Sequence, residues 1–134
     1  MGTTKNSRPT GDKSAVVLAE IGEDINTIFR AFADSTRLRI LHLLVEYETC
    51  VGDIVETLQL PQPTVSRHLA YLRKANLVEV RKDGLWSYYS LAEAQSCFQQ
   101  RLYDCLNDCF NEVPELQEDA RRAKRLRETG GCCE

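Results

Sequence analysis

The chain reads as a mainly α-helical domain with one β-hairpin. Apolar residues recur at three- and four-residue steps before and after a central break, and one Asp-Gly pair stands between two alternating runs. The 134 residues are about one domain's worth, and 43% hydrophobic with 28% charged residues is ordinary for a globular domain. No apolar run approaches the roughly 18 residues of a bilayer span. The opening MGTTKNSRPTGDKS lacks the apolar core of a secretory signal. Six cysteines without such a signal fit a reducing cytoplasm, where thiols act as ligands or redox groups.

Residues 1–13 lack periodicity and are expected as a disordered arm. From Ser14 to Ala33, the positions Val17, Leu18, Ile21, Ile25, Ile28, Phe29 and Phe32 mark an amphipathic helix. Asp34-Ser35-Thr36 offers N-cap oxygens to a second helix running through Leu38, Ile40, Leu41, Leu44 and Val45. A short third helix covers about Val51 to Leu58. Pro61 and Pro63 fit the first turn of a fourth, which runs to about Lys74 with Val65, Leu69 and Leu72 inward. The runs Leu77 to Arg81 and Trp86 to Ser90 flank Asp83-Gly84 as a hairpin, with Trp86 and Tyr88 in its core. A long fifth helix past Leu91 reaches about Glu112 on Phe98, Leu102, Leu106 and Phe110, and a last charged helix spans 114–127. Residues 14–112 thus form one domain, and 113–134 add a helix and a cysteine tail.

Two short helices joined by a tight turn and followed by a charged hairpin make a winged helix-turn-helix. With its apolar stripe inward, the fourth helix leaves Gln62, Thr64, Arg67 and Tyr71 outward; its N-terminal turns, where such helices read base edges, carry Gln62, Thr64, Ser66 and Arg67 as the expected DNA contacts. His68 lies beside the stripe as a packing or phosphate-contacting residue, and Arg81 and Lys82 at the hairpin tip suit neighbouring phosphates. The chain's net charge of −3 hides an asymmetry: residues 61–90 hold five basic residues against two acidic ones, while 91–134 hold nine acidic against six basic. The basic elements are the ones a DNA reader would use, which favours double-stranded DNA over a protein partner.

The run Ala33-Asp34-Ser35-Thr36-Arg37-Leu38-Arg39-Ile40-Leu41 resembles the helix-two opening of the ArsR/SmtB family of metal-responsive repressors. So do Pro63-Thr64-Val65-Ser66-Arg67-His68-Leu69-Ala70-Tyr71-Leu72 and the wing ending Trp86-Ser87-Tyr88-Tyr89-Ser90-Leu91, so that the resemblance covers about residues 25–92. It implies a homodimer joined through the first and fifth helices, without a permanent cofactor. It also implies a repressor that sits on a near-palindromic operator until an inducer, negatively and reciprocally coupled to DNA, releases it.

The family's inducer sites differ, and the resemblance tests each. Its arsenic-type Cys-Val-Cys-Asp site becomes Cys50-Val51-Gly52-Asp53 here, with Gly52 in place of the second thiol. The zinc-type site needs a fifth-helix histidine, whereas His42 and His68 lie elsewhere. The fourth-helix cysteines of the cadmium/lead variant are missing from 62–75, and His42 stands near the second-helix cysteine of persulfide sensors.

What remains is Cys97, Cys105 and Cys109 on the fifth helix and Cys132-Cys133 in the tail. Cys97 is expected as a small packed hydrophobe, whereas Cys105 and Cys109, four apart, share a helix face. An all-thiolate set selects soft ions. Cys132 and Cys133 with one or both of Cys105 and Cys109 are therefore expected to capture trivalent arsenic (arsenite or a methylated arsenical) or antimonite. A cadmium/lead sensor and a thiol redox or persulfide sensor are the alternatives. The last helix spans about 20 Å and the five-residue tail returns at most about 17 Å. The tail thus meets the fifth helix of its own chain only if the last helix folds back on it; otherwise the partner subunit supplies it. No phosphate-cradling glycine loop or Ser/His/Asp set is present, so an enzyme is not expected.

Overall fold

The computed structural model describes residues 25–131. The expected arm at 1–13, the first part of the first helix and Cys132-Cys133 lie outside the described residues. The elements are α1 (25–32), α2 (Ser35–Leu44), β1 (Thr49–Cys50), α3 (Val51–Leu58), α4 (Gln62–Lys74), β2 (Val78–Asp83), β3 (Trp86–Leu91), α5 (Cys97–Asp108) and α6 (Pro114–Glu128).

Local chemistry sets the boundaries. Asp34 is extended, and its Oδ2 accepts the Arg37 N–H at 3.0 Å, satisfying a first-turn donor of α2. Cys50 caps α3 in the same way through sulfur, with Sγ accepting the Asp53 N–H at 3.4 Å. Pro63 stands in the first turn of α4, where its missing N–H leaves nothing unpaired. At the far end, the Leu77 N–H bonds Leu72 O and the Asn76 N–H bonds Arg73 O, both at 3.0 Å. This Schellman closure turns the chain sharply into β2. The last turn of α6 closes likewise, with the Gly131 N–H on Leu126 O at 2.7 Å.

The sheet has the order β1-β3-β2, all antiparallel. Asp83 pairs with Trp86, leaving Gly84-Leu85 as a two-residue turn. Gly84 adopts φ 62 at its first central position, which a side chain there would resist. The expected hairpin is therefore present, with Asp83 closing the ladder rather than sitting in the turn. The short β1 was not foreseen; it pairs Thr49 with Tyr89 and Cys50 with Tyr88, joining the wing to the start of α3.

The core gathers Ile40, Leu41, Ile54, Leu58, Val65, Leu69, Leu72, Leu77 and Leu106, all fully buried or nearly so. Each such side chain stabilises the fold by about 1.5–3 kcal/mol relative to exposure. Two expectations need correction. Trp86 is 41% exposed rather than core, because the wing extends past the helices that could cover it. In addition, α5 starts at Cys97 and turns Gln99 and Tyr103 inward with Leu106, leaving Phe98, Leu102 and Phe110 only partly buried. Burial of these polar groups is compensated: Gln99 Nε2 donates to Tyr103 Oη at 2.7 Å, and Tyr103 Oη donates to Ala92 O at 2.8 Å.

α6 lies across α2 and α3. Arg39 forks onto Asp119, with Nε to Oδ2 at 2.8 Å and Nη2 to Oδ1 at 2.9 Å, and Nη2 also donates to Leu58 O at 2.9 Å. Arg122 Nη1 donates to Thr57 O at 2.7 Å. The last carbonyls of α3 are thus satisfied from α2 and α6.

Candidate nucleic-acid interface

The complete burial of Val65, Leu69 and Leu72 orients α4 and leaves Gln62, Ser66, Arg67, Arg73 and Lys74 exposed, with Thr64 half-buried. Beside it, β2 carries Arg81 and Lys82 into solvent, and Leu85 at the wing tip is 98% exposed. Six of the seven residues expected to face DNA therefore sit on accessible parts of two neighbouring elements.

His68 is the seventh. Its side chain is 12% exposed and turned towards α2, with Nδ1 3.8 Å from Asp34 Oδ2 and 3.4 Å from Arg37 Nη1. Burial, opposed by Asp34 but reinforced by Arg67 and Arg37, lowers its pKa from the ordinary imidazole value. A neutral ring accepting from Arg37 suits a packing role. Arg81 is also engaged: its fork reaches Glu48 at 3.0 and 2.8 Å, and its guanidinium lies 4.6 Å from the Tyr88 ring centroid. The hydrogen bonds from Arg81 hold the Glu48 carboxyl below its usual range.

The sequence reading missed what braces this surface. Arg37 donates Nε to Ala31 O at 3.0 Å and Nη2 to Arg30 O at 2.9 Å, and covers the Tyr71 ring at 4.0 Å. It therefore ties the end of α1 to the exposed side of α4. Arg39, two residues on, faces the other way, to Asp119. The Ala33–Leu41 run contained both arginines, but their partners lie on distant parts of the chain.

The thiols separate into two groups. Cys105 and Cys109 lie together on α5 and its cap, and the Cys105 thiol, through a hydrogen bond, raises the pKa of Cys109. Both are free, as is Cys97. Cys50 is 2% exposed and disulfide-bonded. No cluster of three or more His, Cys, Asp or Glu side chains placed to hold a metal occurs among the described residues. Beyond the end of α6, a Cβ at Gly131 would stand 2.6 Å from Asp53 Oδ2.

Residues 34–80 match the family model described as bacterial regulatory protein, arsR family. The regulator KmtR of Mycobacterium tuberculosis is 44% identical over 99 residues, covering 74% of this chain and 75% of that protein. The chain belongs to the ArsR family. Another relative of this ArsR-family chain, the arsenical resistance operon repressor of Escherichia coli, is 41% identical over 78 residues, 58% of this chain and 67% of that protein. Among solved structures, the homodimeric winged helix-turn-helix DNA-binding domain of a possible ArsR-family regulator from Mycobacterium bovis is similar. It has TM-score 0.60 and 28% identity, covering 81% of this chain and 94% of that one. This ArsR-family protein is accordingly a DNA-binding transcriptional repressor with a winged helix-turn-helix, not an enzyme. No helix among the described residues is long and apolar enough to cross a membrane.

Proposed function

We propose that this repressor acts in the cytoplasm as a homodimer. It holds a near-palindromic operator through α4 and the wing, and releases it when thiols capture trivalent arsenic, as arsenite or a methylated arsenical, or antimonite. The dimer reading draws on α1 and α5: Phe29 is exposed and meets Phe98 edge-on at 5.2 Å, beside the partly buried Leu102 and Phe110. Such an apolar strip suits a second copy, and the Mycobacterium bovis domain is described as homodimeric.

One observation carries the inducer reading: both histidines are drawn into packing. His68 faces Asp34 and Arg37, and His42 is half-buried on α2 opposite α6, where burial lowers its pKa despite Asp119 and Glu46. Sulfur is then the soft donor the chain offers, and thiolate sets select soft ions over zinc-type partners. The Escherichia coli relative, named for arsenical resistance, agrees with that choice. The disulfide at Cys50 favours a second reading, a thiol redox switch.

A reporter fused to the DNA upstream of the gene separates these readings. Arsenite and antimonite are expected to raise expression at concentrations where cadmium, lead, peroxide and polysulfide do not. Induction by peroxide alone would make the redox reading correct.

A further inference from the structure

We propose that Arg81 is a positioning residue rather than a DNA contact: with Glu48 it latches the wing to the helix-turn-helix, leaving Lys82 to meet phosphate. This deepens the operator-holding role proposed for the wing and rests on it. It also reassigns Arg81, which the sequence placed among the phosphate contacts.

The geometry runs across the sheet. Its order is β1-β3-β2, so the outer strand of the wing, β2, has no ladder to β1. Arg81 on β2 pairs with Tyr88 on β3, and Tyr88 pairs with Cys50 on β1. The Arg81 guanidinium lies over the Tyr88 ring, 4.6 Å from its centroid. It forks onto Glu48, the residue before β1, with Nε to Oε2 at 3.0 Å and Nη2 to Oε1 at 2.8 Å. One side chain thus spans all three strands.

The loop that carries Glu48 is itself anchored. Thr49 Oγ1 donates to Tyr47 O at 3.0 Å, and Arg127 of α6 lies 3.8 Å from the Tyr47 ring centroid. An isolated hairpin is marginally ordered in water, and β1 holds β3 through only two residue pairs. The direction of the wing therefore depends on side-chain attachments, and the Glu48 fork is the one that ties its outer strand to β1.

Charge assigns the roles. Arg81 faces two carboxylates, Glu48 and, at 3.9 Å, Asp83. Its planar fork is already filled in the bidentate geometry that a phosphate would need, so phosphate would have to break both bonds to take it. Lys82, the next residue, points from the other face of the strand and is exposed, a mobile point charge for phosphate. Both latch side chains remain partly exposed, 54% for Arg81 and 38% for Glu48, so the latch contributes a modest factor to binding and little to the fold.

The test measures binding of the full-length chain to the duplex upstream of its gene, by anisotropy over a range of salt concentrations. Arg81→Ala and Glu48→Gln should each weaken binding about two- to fivefold, the range of an exposed ion pair, with the salt slope of log K unchanged. The double variant Arg81→Ala/Glu48→Gln should lose no more than either alone, since both remove one latch. Glu48→Arg/Arg81→Glu rebuilds the pair with its charges exchanged and should recover binding to within about twofold of wild type. Lys82→Ala is the comparison, lowering the slope by about 1. A phosphate-bound Arg81 gives the opposite pattern: Arg81→Ala lowers the slope by about 1, Glu48→Gln tightens binding, and the exchanged pair binds worst of all. That pattern overturns the latch while leaving the wing on DNA. If none of Arg81→Ala, Glu48→Gln and Lys82→Ala changes binding, the wing does not hold the operator, and the latch falls with it.

Discussion

At the scale of single residues, the side chains proposed to read DNA are distinct from those that hold α4 in place. Arg67 is exposed in the early turns of α4. Arg67→Ala should cost about 1–3 kcal/mol of operator binding and relax the sequence preference, measured by anisotropy on operator and scrambled duplexes. Lys82, exposed beside the wing tip, is expected to touch phosphate. Lys82→Ala should weaken both duplexes alike and lower the salt slope of log K by about 1. The histidines make a different prediction. His42 is held low by burial against Asp119 and Glu46, and His68 by burial against Asp34 with help from Arg67 and Arg37. As pH falls, the unfolded chain therefore binds protons first, so stability is full above about pH 6.5 and declines below it. His42→Gln/His68→Gln should flatten that decline in melting temperatures taken between about pH 7.5 and 5.5. An unchanged slope would place the acid sensitivity on carboxylates.

At the scale of elements, the coupling of α6 to α2 and α3 is the main structural claim. Asp119 is 2% exposed and meets a bidentate Arg39 whose side chain is 14% exposed. Removing one partner of such a buried pair leaves the other uncompensated. Asp119→Ala should therefore destabilise the fold by about 3–5 kcal/mol, read as a lower denaturant midpoint with an unchanged m-value. α3 and α4 were legible in the sequence because Pro61, Pro63 and the Val65-Leu69-Leu72 stripe encode their limits and inward face locally. β1 was not legible, since two residues cannot display a period of two. The orientation of α5 was hidden because Gln99 and Tyr103 read as surface residues until each finds its hydrogen-bond partner. The Arg39–Asp119 fork joins positions 80 apart, and nothing local announces it.

At the scale of the whole molecule, the outward positions of α4 follow from helix periodicity, so the exposure of Gln62, Ser66 and Arg67 could be read before the fold was known. The proximity of Gly131 to Asp53 could not, because it depends on the path of α6 over α2 and α3. The apolar strip of Phe29, Phe98 and Leu102 sets the expected assembly. Phe29→Asp should shift the sedimenting species from dimer to monomer and weaken operator binding at least tenfold, because two half-sites are no longer held together. Equilibrium binding of the reduced, full-length protein to its upstream duplex, with and without arsenite at one fixed salt concentration, tests the central claim most directly. The account predicts tight, sequence-selective binding that arsenite weakens by at least tenfold. Equal affinity for a scrambled duplex, or an operator affinity indifferent to arsenite, would contradict it.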